Sequence, residues 1–326
     1  MASPRFGARC AGSRPMDSLL TPTFLTSVIA GGIVAGVALL YASLGEIVAE
    51  QSGVLNVGLE GMMLTGAFVG FVGALETDSL WLGLLAGGVA GAMVSLIMVV
   101  FCIRLGMDQI VVGIGIILAA EGATSLLHDA WFSRSFPRLP AVAGFEIPLL
   151  ADIPILGPSV FSQPLPVYLG LGLVVLVTWI MRRTTVGLNI RAAGEKPDSV
   201  DAAGVSVVRV RTGAELTAGT LAGIGGAYLS IVSAGTFVPF VTGGAGFIAI
   251  VIAMLARGRP FWSVLGALLF GMSLSIATAL QLLGIRIPTA FVFMLPFISV
   301  IVVLVIFARR ARLPAALGLP YHRGSR

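Results

Sequence analysis

Residues 45–67 read GEIVAEQSGVLNVGLEGMMLTGA and set Glu46, Glu50, Asn56 and Glu60 in an otherwise apolar stretch. Carboxylates and amides in such surroundings do one of two things. They hydrogen-bond a polar solute, or they satisfy backbone groups that a broken helix leaves open. Asn56 and Glu60 are four residues apart and share one face of a helix, and Glu46 and Glu50 repeat that spacing. Asn56, Gly58 and Glu60 are therefore candidates to line a pathway, with capping of the break as the alternative role. Glu46 and Glu50 are expected to hold the break in shape. A second unusual stretch, TGGAGFIAIVIAMLA at 242–256, carries Gly244, Gly246 and Phe247. Its glycines let a solute or another helix come close, and Phe247 can stack on a base or sugar ring or simply pack. Glu121 lies deep in another apolar segment, where pathway and structural roles are both open. Glu215 is expected to be structural.

The elements that must position these residues are membrane spans. The chain has 326 residues, 57% of them hydrophobic and 11% charged, against about a quarter charged in an ordinary soluble domain. Apolar segments fall at about 23–44, up to 75, 80–103, 109–127, 165–181, 212–232, 261–283 and 287–307. They predict an all-α polytopic transmembrane helical bundle. The segment at 242–256 is too short to span at about 1.5 Å per residue, which makes it an interrupted element. With 45–61 as its counterpart, each half of the chain holds one interruption, a pattern that points to a transport site between two related halves. The loop 128–164 is rich in proline and should contain no through-going helix.

Arg and Lys cluster at segment ends and account for the net charge of +5, so nucleic acid is not implied. The basic patches at Arg104, 182–211, Arg257, Arg259 and the tail from Arg309 go to the cytoplasm, and 128–164 goes outside. Placing the N-terminus inside as well requires 45–61 to add a half-crossing, and that is the expectation. The domain reading is a short tail at 1–16, a permease region at 17–310 with coupling loop 183–210, and a cytoplasmic tail at 311–326. Translation starts at Met1 or Met16. Residues 1–15 lack a signal-peptide core. Within the cytoplasmic loop, Pro197 and Asp198 can open a short helix ending near Gly204. The two cysteines and two histidines are isolated, so no metal site is expected. No phosphate-binding loop or nucleophile elbow is present, so the chain is not expected to be an enzyme or to hydrolyse ATP itself.

Four blocks in order, GEIVAEQSGVLNVGLEGMMLTGA, RAAGEKPDSVDAAGVSV, TGGAGFIAIVIAML and RLPAALGLPY, resemble permease subunits of bacterial ABC importers. The subgroup is the simple-sugar and nucleoside type that works with basic-membrane-protein-like lipoproteins, and the likeness covers about 17–321. It implies roughly eight to ten crossings in the bacterial plasma (inner) membrane. It also implies a second, related permease chain, two ATP-binding subunits that supply ATP and Mg, and a substrate-binding lipoprotein outside. Arg191, Gly194, Glu195, Ala203 and Gly204 fall in the element on which the ATPases dock. Gln51 and Ala245 stand where the family often has a basic residue, which bears on the substrate. A branched-chain amino acid permease is the nearest alternative, and an ATP-independent secondary transporter is another.

Overall fold

The computed structural model describes residues 21–133, 135–148, 151, 153–282, 294, 298, 301, 302, 305 and 313–321. Helix α1 spans Pro22–Gln51, α2 Leu59–Thr77, α3 Leu80–Met98, α4 Gln109–Phe132 and α5 Leu165–Arg183. Two short helices follow, α6 at Thr185–Glu195 and α7 at Pro197–Ala202. Then come α8 at Val207–Tyr228, α9 at Ala245–Ala256 and α10 at Pro260–Leu282. Both α3 and α8 finish in a π-helical turn, Val99–Arg104 and Leu229–Ser233. Seven of the described helices are long and apolar enough to cross a membrane, and α9, at 12 residues, is not. The expected final span at 287–307 lies largely outside the described residues. The tail at 1–16 lies outside them, and the tail at 311–326 is described only over 313–321.

Helix starts follow local chemistry. Thr21, Ser79, Asp108, Thr184 and Ser206 each accept a backbone N–H in the first turn of the helix they precede. Pro occupies an early position in α1, α5 and α7, where its missing N–H costs nothing. Packing among α2, α3 and α8 relies on small residues. A Cβ added to Gly66 would strike the backbone of Gly223, one on Gly87 would strike the Ala227 Cβ, and one on Gly226 would strike the carbonyl of Met63. Lipid tails are as apolar as leucine, so close backbone contact rather than burial drives such association. The outward faces of α3, α4 and α5 remain apolar and exposed, for example Leu85, Met93, Val111, Leu118 and Val175.

Helix directions correct one expectation. Gly31 and Gly36 of α1 pack on Ser275 and Ala267 of α10, and Gln51 packs on Gly258 just before α10 begins. Thr21 is therefore at the opposite end of the bundle from Arg211 and Arg257. The stretch 45–61 adds no half-crossing. α1 runs unbroken through Glu46 and Glu50, which are 0% and 1% exposed, and the chain reverses at 52–58.

Two smaller corrections follow. α4 continues five residues into the predicted 128–164 loop, and Ser133 ends it at φ +52°. The 185–202 region holds two helices rather than one, because Thr184 caps a first helix ahead of the Pro197 start.

Candidate functional site

Where the two interruptions meet, Glu60 occupies the junction. It sits in the first turn of α2, and its carboxylate receives the backbone end of α9. Thr242 Oγ1 donates to Oε1 at 2.6 Å and the Gly244 N–H to the same oxygen at 2.9 Å. The Gly246 N–H donates to Oε2 at 2.6 Å. A helix N-terminus presents unpaired N–H groups and a positive dipole end, and a carboxylate answers both. Gly244 reaches this geometry at φ +89°, a left-handed conformation that favours glycine. A Cβ on Gly246 would lie 2.5 Å from the Glu60 Cα, so the two elements touch backbone to backbone.

Asn56 anchors the other side of the break. Its backbone N–H donates to Glu46 Oε1 at 3.2 Å and its Nδ2 to Glu215 Oε1 at 2.8 Å. Asn56, Glu46 and Glu215 are all fully buried. The Leu55 N–H donates to Gln109 Oε1 at 2.7 Å, which ties the same turn to α4. Gly58 gives way to α4 as well, with Ile116 Cδ1 3.1 Å from where its Cβ would be. The turn at 52–58 is thus held by side chains from α1, α4 and α8, and it delivers Glu60 to α9.

Among the other sequence candidates, Phe247 follows Gly246 on the outer side of α9 and is 45% exposed. Glu121 is half-buried on α4 and shares no hydrogen bond with the Asn56–Glu60 junction. On α6 and the α7 end, Arg191, Glu195, Ala203 and Gly204 are exposed, while Gly194 is buried against the carbonyl of Gln51. Thr242, Gln109 and Arg211 also hold the break, which the sequence did not indicate, and Glu215 has the structural role expected of it, as acceptor for Asn56. The one available signal was polarity inside an apolar segment at Glu215, since Arg211 falls in the basic stretch just before it. Among the described residues, no group of His, Cys, Asp and Glu is arranged to hold a metal ion.

A bundle of membrane-length helices whose buried polar groups gather at two helix interruptions defines a polytopic integral-membrane permease. Residues 28–307 match the family described as "Branched-chain amino acid transport system / permease component", and the chain belongs to that family. It is 32% identical to the nucleoside ABC transporter permease NupC of Lactococcus lactis over 91% of this chain and 97% of that one. It is 34% identical to the guanosine ABC transporter permease NupQ of Bacillus subtilis over 93% and 98%. It is also 35% identical to a putative glucose ABC transporter permease, TsgC13 of Haloferax volcanii, over 77% and 76%. No solved structure matches the chain. The resemblance to simple-sugar and nucleoside permeases is thus borne out, and the chain is a transport subunit that spans the membrane.

Proposed function

We propose that the chain is one permease subunit of an ATP-driven importer that passes nucleosides, or simple sugars, into the cell. The observation that carries the solute class is the near end-to-end likeness to permeases named for nucleosides and guanosine. The junction supports the same class over branched-chain amino acids. A solute carboxylate would seek a free helix N-terminus or a basic side chain. The N-terminus of α9 is already filled by Glu60, and the groups around Asn56 are carboxylates and amides.

In this reading the buried Asn56–Gly58–Glu60 turn and the Gly244–Gly246 start of α9 brace one wall of the pathway from behind. Phe247 stands on its open side, and Glu121 lies further along α4. A second permease chain supplies the opposite wall. Two ATP-binding subunits carry the ATP and Mg and dock on α6 and α7, and a lipoprotein delivers solute at the 128–164 end. Arg191, Glu195, Ala203 and Gly204 are the exposed contacts of that cytoplasmic docking face.

Reconstitution tests the assignment. The chain with its partner permease and ATPases should take up labelled guanosine only with ATP, and excess nucleoside should compete better than glucose or leucine. Uptake by this chain without ATP would make it a secondary transporter, and competition by leucine alone would return the branched-chain reading. Within the working complex, Glu195→Trp and Gly204→Trp should leave the protein in the membrane and cut ATP-driven uptake by about tenfold, within the usual range of coupling energies. Unchanged uptake per ATP hydrolysed would show that α6 and α7 are only a connection.

A further inference from the structure

The segment 313–321 does not hang free at the basic end of the bundle. Ala316 N–H donates to the Gly194 carbonyl at 2.8 Å, and Gly318 N–H donates to the Gly53 carbonyl at 3.1 Å. Gly194 lies at the end of α6, and Gly53 lies in the turn that leads to Asn56 and Glu60. Arg211, in the first turns of α8, completes the arrangement. It is 3% exposed, and its Nε donates to the Ser52 carbonyl at 3.2 Å while Nη1 donates to the Leu319 carbonyl at 2.8 Å. Gly53 takes φ +92°, and a Cβ there would lie 2.8 Å from Arg211 Nη2 and 3.1 Å from the Ala316 carbonyl. A Cβ on Gly194 would meet the Gln51 carbonyl and, at 3.2 Å, the Gly53 N. Four chain segments remote in sequence thus join through backbone carbonyls, with one buried guanidinium at the centre.

We infer that Arg211 is a positioning residue which, with 313–321, straps the coupling element to the 52–58 turn, so that displacement of α6 is delivered to the Asn56–Glu60 junction. The inference rests on the proposed importer function. Its physical basis is the fork geometry of arginine. Two donors set at a fixed angle hold two carbonyls from different segments at once, which a lysine ammonium on a flexible stem does not reproduce. Without the strap, α6 keeps its exposed face and still accepts an ATPase. What it loses is the rigid hold between Gly194 and Gly53.

The test uses the full complex in proteoliposomes, with solute transported per ATP hydrolysed as the readout. Arg211→Gln and a chain ending at residue 312 should still assemble with the ATPases and hydrolyse ATP, but solute moved per ATP should fall by about tenfold, a typical coupling loss. Arg211→Lys should fall in between. Unchanged solute per ATP in assembled Arg211→Gln and truncated complexes overturns the strap while leaving the importer reading intact. A wild-type complex without ATP-driven uptake overturns that reading, and the strap with it. Hydrogen–deuterium exchange on the wild-type complex is the arm that needs no variant. The Ala316 and Gly318 amides should stay protected with and without ATP, and loss of protection in either state overturns the inference.

Discussion

Glu60→Ala should lower uptake per copy by tenfold or more and lower the thermal midpoint of the purified permease. The substitution strands the Thr242 hydroxyl and the Gly244 and Gly246 amides at the start of α9. A buried donor left without its acceptor costs about 1–3 kcal/mol, and three share one carboxylate here. Since about 1.4 kcal/mol is a factor of ten in an equilibrium, fraying of the first turn of α9 becomes a populated state. Glu60→Gln keeps one acceptor oxygen but sets an NH2 group against a backbone donor, so it should fall between wild type and alanine. Glu60→Asp keeps the charge on a shorter stem and should also be intermediate. Wild-type uptake and melting in the alanine variant would show that the carboxylate does not hold α9.

Asn56→Leu should reduce uptake per copy more than it reduces the amount of protein in the membrane. Leucine removes the donor that reaches Glu215 Oε1 at 2.8 Å and leaves that oxygen buried without a partner. The expected stability loss is about 1–3 kcal/mol. Asn56→Asp should be worse, because it adds a carboxylate to a site that already holds Glu46 and Glu215. Removing both partners of a buried bond is milder than removing one, so Asn56→Leu with Glu215→Leu should recover much of the thermal stability. Uptake separates the two roles of Asn56. If it stays low in the stable double variant, Asn56 acts on the solute; if it returns with stability, Asn56 only holds the turn.

These two experiments address the residues whose roles the sequence left open. The polarity of 45–67 was legible at once, because a carboxylate in an apolar run needs a reason. What it faces was not. Glu60 meets residues more than 180 positions away, and Asn56 meets a side chain 159 positions away. No local pattern encodes such distances. The same limit explains why Thr21 lies at the end of the bundle opposite Arg211 and Arg257. Charge counting favoured the basic end, but a helix direction is set by what it packs against, and α1 packs antiparallel to α10. The helix α6 is not legible in the sequence for a milder reason. Its 11 residues carry Gly187 and Gly194, which weaken local propensity, and its buried side docks on the ends of α1, α5 and α8.

The sequence by itself determined the class of this protein. Membrane spans are a one-dimensional signal, since about 20 apolar residues in a row reach across a bilayer whatever surrounds them. The short length of 242–256 and the four ordered blocks belong to that same level, and they were enough to indicate a permease. Tertiary structure alone decided how the two interruptions relate. It put the carboxylate of one on the helix N-terminus of the other, and it laid residues 313–321 across the end of α6 and the turn at 52–58. The physical reason is that a broken helix exposes backbone donors and acceptors which cannot be left bare in a membrane. Each break must find partners, and here each finds them in segments that meet only after the chain has folded.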